Sequence, residues 1–511
     1  MAEKNRKAQN NMLIQGSVFT LTGFCLWKTV DLLQLLLFRQ TGAVYAVSSG
    51  IFTFAGLFAA FGAVNGIYEA ASAFYKSGDY RGFSKYRYRM TAYILAAGFV
   101  ISLFLILISD HAAAFIMNGF GEETAVQLSR ALCLSAPGFF VLLLTASEAA
   151  FSKASGHTKV IRAAELFTAI AAFAVILISC IFVKESSNAA LIVSSLLWLS
   201  LIAGCGVYAL AGSLQEKVKI KNITAGDTGR TGRKKADLFD LINGFLFALP
   251  YLLSPVFVLR LLSCSDIQGQ TVSDFMNTAY YYGNIYGGMA AGLCLCASSG
   301  MIWTAASFRK VKDQRKVSGY LEKSVLAALF VILPAVFFIS AHTSFFCGTA
   351  FVDGINVMGF AAVQAGLDAF MLVVFILMIS LGRKKDCAVY LLISVSGRCL
   401  AYFLLMKFKG LEVLQAGGWI GDMLFIYLGL ISLQNRYECR LKYMAVRAAL
   451  IIYACLCMNG VFAAADLLSS LLPLAGVLKN IYSAVSMAAG IGLYFAVCKV
   501  LNVVSAIFRK A

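Results

Sequence analysis

The sequence predicts an all-α, polytopic membrane protein of about fourteen transmembrane helices, built as two pseudo-symmetric six-helix bundles plus two C-terminal helices. Three observations carry this. Apolar runs of about 20 residues recur along all 511 positions, each long enough to cross a bilayer core. The chain is 60% hydrophobic and only 13% charged, with mean hydropathy +0.80, too little polar surface for a soluble protein of this length. The loops between the runs are alternately rich and poor in Lys and Arg. The runs are continuous rather than alternating in polarity, which selects helices over barrel strands.

The first six spans are expected near 13–38, 45–75, 90–109, 125–150, 160–183 and 189–212. The run Leu13–Phe38 reads as a span rather than a cleavable leader, because it is long and carries Lys28 and Asp31. A Gly/Thr-containing, strongly basic stretch over 213–237 reads as a linker. Eight more spans are expected near 238–263, 275–305, 320–345, 355–382, 388–406, 417–433, 444–465 and 475–505. Pro250 and Pro255 should bend the first of these, and the Gly-rich run 275–305 should be tilted or broken. The expected domains are therefore 1–212, the linker 213–237, 238–436, and an added helix pair over 437–511.

The loops following the even-numbered spans carry the positive charge: Lys76 to Arg89, Lys153 to Arg162, the linker, Arg309 to Lys316, Arg383 to Lys385, and Arg436 to Arg447. The segments 110–123 and 263–274 contain no Lys or Arg, whereas Lys407 and Lys409 break the pattern. Both termini, basic at Lys4, Arg6, Lys7, Arg509 and Lys510, are expected in the cytoplasm, in a multi-pass protein of the inner or plasma membrane. The formal charge of +18 is explained by these loops, so nucleic-acid binding is not expected. The 14 cysteines lie mostly within apolar runs, where they serve as small packing residues rather than a disulfide framework.

A shift of 234 residues aligns the loops after spans two and eight. Ala71, Phe74, Lys76, Asp79, Arg81 and Tyr86 fall on Ala305, Phe308, Lys310, Asp313, Arg315 and Tyr320. Six helices per repeat is an even number, so the two halves share one orientation and are related by an axis along the membrane normal. Two such bundles enclose a central cavity, the layout of an alternating-access transporter.

Charges inside membrane runs are the candidate functional groups. Asp31 is either a cation or proton site tuned by Lys28 one turn earlier, or half of a self-neutralising i,i+3 pair. Asp368, flanked by Gln364 and Gly366, has no base within one turn, which suits proton or Na⁺ coupling. Its alternative is an interfacial position at a helix end. Lys28, Asn65, Glu148, Asn243, Arg260 and Tyr281 are candidate cavity residues, with Glu69 and Asn277 beside them. For Glu148 the structural alternative is pairing with Lys153 or Arg162, and for Tyr281 an interfacial aromatic belt. His111, His157 and His342 are scattered, and no phosphate-binding loop, zinc-binding HExxH motif or nucleophile elbow occurs. Neither an enzyme nor an ATP-driven pump is expected, and no cofactor beyond a coupling H⁺ or Na⁺.

Several motifs resemble the multidrug/oligosaccharidyl-lipid/polysaccharide (MOP) flippase superfamily, most of all its multidrug and toxin extrusion (MATE) exporters. Val30-Asp31 leading to Gly42 is similar to that family's acid-bearing first helix. Lys76-Ser77-Gly78-Asp79-Tyr80-Arg81 and Lys153-Ala154-Ser155-Gly156-His157-Thr158-Lys159 resemble its loops after helices two and four. Leu381-Gly382-Arg383-Lys384-Lys385 stands at the counterpart after helix ten, and Leu400-Ala401-Tyr402 with Gly418-Trp419 resembles the helix eleven to twelve connection. The resemblance implies a monomeric exporter of amphipathic organic cations, coupled to H⁺ or Na⁺ at Asp31 and Asp368. The two helices after Arg447 suit instead the fourteen-helix flippases of lipid-linked saccharides, whose cavities hold pyrophosphate with basic residues. Lys28, Arg39 and Arg260 would take that role here. A third reading is a non-transporting membrane scaffold. The expected partners are membrane lipids and either a small organic substrate or a lipid-linked saccharide.

Overall fold

The structure, a computed structural model, describes residues 42–118, 120, 122–182, 196–220, 238–263, 275–276, 279, 283–310, 312–342, 351–352, 355–405, 411–471 and 477–508. The expected first span and the 213–237 linker therefore lie wholly or largely outside the described residues, as do Lys28, Asp31, Arg39 and Tyr281.

Every expected span from the second to the fourteenth is occupied by a helix. Eleven are long and apolar enough to cross a membrane, and two shorter apolar helices, Ala163–Ile178 and Leu199–Ala211, stand at spans five and six. The first described span is α1 (Gly42–Leu57), a π-helical turn (Phe58–Ala63) and α2 (Val64–Lys76). It is followed by α3 (Tyr80–Ile116), α4 (Glu122–Ala154), α5 (Thr158–Phe182) and α6 (Leu199–Ile220). The second half contains α7 (Leu238–Ser263), α8 (Gly283–Lys310), α9 (Gln314–Ala341), α10 (Val357–Ser380), α11 (Lys384–Leu405) and α12 (Leu411–Tyr437). A two-residue antiparallel pairing, Phe351–Val352 with Ile355–Asn356, precedes α10. The chain continues through α13 (Leu441–Leu471), α14 (Val477–Val500) and the short α15 (Val503–Phe508). α7 continues as a helix through both Pro250 and Pro255.

The halves repeat in detail. Asp79 caps α3 by accepting from the Gly82 amide (2.7 Å), and Asp313 caps α9 by accepting from the Lys316 amide (3.2 Å). An uncapped helix start leaves orphan amides, so each Asp fixes where its helix begins. Phe74 and Tyr86 sit 5.6 Å apart, and Phe308 and Tyr320 sit 5.7 Å apart. The preceding turns share one geometry. Gly78 and Lys312 have φ of 77° and 60°, and Asp79 and Asp313 each donate back five residues, to Phe74 O and Phe308 O. Gly156 and Gly382 make the same turn after α4 and α10, with His157 donating to Ser152 O and Arg383 to Met378 O. These bonds close the left-handed helix terminus that favours glycine. Each half thus reuses two identical turns on the face that bears the basic loops.

The first bundle pairs α3 with α4 and α5 with α6; the second packs α8 against α9 and α10, and α11 against α12. The largest buried cluster runs through the second bundle, with Phe247, Phe375 and Phe425 fully enclosed. It continues into the added pair, where α13 packs on α9 and the Tyr494 hydroxyl donates to Phe330 O (2.7 Å). Over residues 92–107 the exposed side of α3 is apolar, with Phe99, Phe104 and Leu107 all more than half exposed. On a helix this long, such a surface faces lipid. The chain is a multi-pass membrane protein.

Candidate functional site

The second bundle encloses an ion cluster built from α7, α10, α11 and α12. Arg398 of α11 and Asp422 of α12 form an ion pair, at 5% and 0% exposure. Arg398 Nη1 also donates to Ser254 Oγ of α7 (3.0 Å). Gln364 of α10 spans two carboxylates, its Nε2 donating to Asp368 Oδ1 (3.0 Å) and to Asp422 Oδ2 (2.5 Å). Two glycines of α12 make the room. A Cβ at Gly418 would lie 2.5 Å from Gln364 Oε1, and one at Gly421 would lie 2.8 Å from Arg398 Cβ.

The charge count decides what the cluster can do. Among the described residues two carboxylates stand with one guanidinium, which pairs with Asp422, so the fully ionised cluster carries one surplus negative charge among apolar helices. Isolated buried charge is strongly unfavourable, and a proton or a monovalent cation would cancel it. Gln364 Oε1 is buried without a hydrogen-bond partner among the described residues and lies against Gly418, while the carboxylates supply the oxygens. Oxygen ligands suit a hard cation.

Asp368, expected from the sequence to stand without a nearby base, belongs to this cluster, and its base arrives from another helix. Sequence reasoning missed Arg398, Asp422 and Ser254. The signal that could have found the first two was present, since each is a lone charge in an apolar run. Of the remaining candidates among the described residues, Asn65, Glu148 and Arg260 stand apart from this cluster, while Asn243 and Glu69 meet at Lys384. Asn65 donates to Phe61 O of its own helix (3.0 Å). Glu148 pairs with Arg87 of α3 (2.5 Å), while Lys153 Nζ lies over the Tyr68 ring (4.9 Å to the centroid). Arg260 lies over the Phe115 ring of α3 (4.2 Å to the centroid). Asn243 donates to Lys384 O (2.9 Å).

The bundles meet along α7. A Cβ on Gly50 would lie 2.7 Å from Tyr251 O, and one on Gly244 would lie 2.3 Å from Gly62 N, so here the helix backbones touch. Below this crossing, on the basic face, Lys384 Nζ lies 2.7 Å from Glu69 Oε1 of α2 and 2.7 Å from Asp240 Oδ2 of α7. Toward the opposite face the seam is apolar: Val47, Met117 and Leu128 of the first bundle share a buried cluster with Val258, Leu262 and Met276 of the second.

No protein-family model and no curated protein matches the sequence. Solved structures do. An inward-facing multidrug-resistance MATE transporter superposes with TM-score 0.59 at 12% identity, covering 83% of this chain and 98% of its own. The lipid II flippase MurJ, in an inward closed conformation, gives TM-score 0.62 at 14% identity and covers 95% of this chain and 98% of its own. The chain has the fold of the MOP-superfamily transporters. A further MOP-superfamily transporter, from Pyrococcus furiosus, described as having a binding pocket of reverse polarity, gives TM-score 0.58 at 15% identity over 84% of this chain and 96% of its own. The MATE-sized members of this fold leave about a sixth of the chain uncovered, close to the share taken by the segment from α13 onward.

Proposed function

We propose that the chain is a secondary transporter of the MATE type, exporting amphipathic organic cations by alternating access of its two bundles, with H⁺ or Na⁺ as the coupling ion. The observation that carries this is the pair of carboxylates, Asp368 and Asp422, bridged by Gln364, with one guanidinium, Arg398, paired to Asp422. With a cation bound the cluster is neutral and tolerates enclosure. Without it the surplus charge favours the state that opens to water. A cation that binds one state better than the other shifts the balance between them, and that differential is what couples ion to substrate. Asp31 is the second coupling candidate, from the first span. In this reading the protein acts as a monomer in the inner or plasma membrane, with both termini cytoplasmic and lipid around it, and performs no covalent chemistry.

The test is efflux of a fluorescent cationic dye from cells expressing the wild type, Asp31→Asn, Asp368→Asn or Asp422→Asn, with and without a Na⁺ or proton gradient. Gradient-dependent efflux that disappears in Asp368→Asn supports the proposal. Absence of dye efflux from a well-expressed wild type overturns it.

One observation favours a second reading, a flippase of a lipid-linked oligosaccharide or polysaccharide precursor. The likeness to MurJ extends over 95% of the chain, enough to include α13 and α14. Lys28, Arg39 and Arg260 would then hold the pyrophosphate. Its readout is labelling of the precursor headgroup at the outer leaflet, lost in Lys28→Ala and Arg260→Ala.

A further inference from the structure

We infer that Glu69 of the first bundle and Lys384 of the second form a reversible latch that holds the basic face closed, with Asp240 as the lysine's resident counter-ion. The ion pair Arg87–Glu148 joins two helices of the first bundle and Arg440–Glu322 ties the α12–α13 connection to α9, whereas Glu69–Lys384 joins the two bundles. The partners of Lys384 differ in kind. The Asp240 side chain is 1% exposed and belongs to the lysine's own bundle, while the Glu69 side chain is 51% exposed and comes from the other. Asn243 of α7 holds the Lys384 carbonyl at 2.9 Å, so backbone and ammonium are both anchored to α7.

If the bundles part on this face, Lys384 keeps a carboxylate and is never left as a bare buried charge. Glu69 already meets water and returns to it at little cost. A half-exposed pair of this kind is weak, which is what a contact made and broken on each transport cycle requires. At the Gly62–Gly244 crossing two bare backbones meet, beside ring contacts of Phe61 with Phe247 and Phe375 that also join the bundles.

The latch rests on the reading of two bundles that alternate, and its test is separable from that reading. Nitroxide labels on keto-bearing residues at positions 77 and 315 report the distance between the bundles on the basic face, and pulsed electron resonance gives its distribution. The measurement uses no substrate, a fixed pH and choline chloride as the only added salt, so a wild type that fails to export dye leaves it intact. Glu69→Gln should raise the ratio of open to closed populations about two- to five-fold. Raising ionic strength should move the wild type the same way and leave Glu69→Gln unchanged. Arg87→Gln, which breaks an ion pair within one bundle, should leave the distribution as in the wild type. The latch is overturned if Glu69→Gln, recovered folded and monodisperse, keeps the wild-type distribution, or if Arg87→Gln opens the face equally.

Discussion

Three substitutions in the ion cluster should rank in an order set by charge. Arg398→Gln removes the one cation and leaves Asp368 and Asp422 facing each other through the Gln364 amide, with Ser254 deprived of its donor. Removing one partner of a buried pair costs about 3–5 kcal/mol, and here both carboxylates are stranded. Asp422→Asn leaves Arg398 and Asp368 as one charge of each sign, so the loss should be nearer that of a hydrogen bond to a charged group, about 1.5–3 kcal/mol. Asp368→Asn leaves the Arg398–Asp422 pair whole and should cost about 0–1 kcal/mol while abolishing coupling. The double variant Arg398→Leu/Asp422→Leu should be far milder than Arg398→Gln, because an ion pair replaced by apolar groups strands nothing. Thermal denaturation of the detergent-solubilised protein measures the order. An Arg398→Gln variant as stable as the wild type, or an Asp368→Asn variant less stable than Arg398→Gln, would refute the charge count.

Gly244→Ala places a methyl group within van der Waals radii of Gly62 N and Cα; backbone cannot rotate away, so a loss of about 1–3 kcal/mol and weaker closure of the bundles are expected, seen as a lower melting temperature and a longer label distance. Lys312→Gly relieves a side chain held at positive φ in a turn where the other half uses Gly78, and should stabilise by about 0.5–1 kcal/mol in the same melts. Asp313 is held below the usual carboxylate range by the hydrogen bonds from Lys316 to its side chain. Its contribution is therefore complete above the ordinary Asp value and is lost as pH falls through the lower folded value. Asp313→Ser, which keeps the cap without the charge, should flatten the acid limb of the melting temperature against pH.

Sequence patterning reached the spans because hydropathy is a property of single segments. Lipid demands an internally bonded helix wherever about 20 apolar residues run together, and thirteen expected spans have their helix. The repeat was legible for a similar reason, since Asp79 and Asp313, or Phe74 with Tyr86 and Phe308 with Tyr320, interact locally. The site was legible only in part. Asp368 stood out as a lone acid, but its counter-charge arrives from residue 398 through residue 422, a pairing that no local window contains. Glu148 failed in the same way: its basic neighbours in sequence were Lys153 and Arg162, yet packing of α3 on α4 delivers Arg87. Long-range pairing is set by which helices touch, and hydropathy is silent on that.

The π-helical turn between α1 and α2 has a consequence for how one helix can serve as a single seam. In an unbroken α-helix, about 100° per residue would place Glu69 roughly 100° around the axis from Gly50. A π turn advances only about 80° per residue, so its six residues take back about 120°. Gly50, Gly62 and Glu69 consequently fall within about 40° of one line. All three meet the second bundle, at Tyr251, Gly244 and Lys384. The span thus holds one residue more than a regular helix needs, and the bulge absorbs it where the helices cross most closely. A chain one residue shorter between positions 58 and 63 would present the same stripe as a continuous α-helix, with the local break in its hydrogen-bond ladder removed.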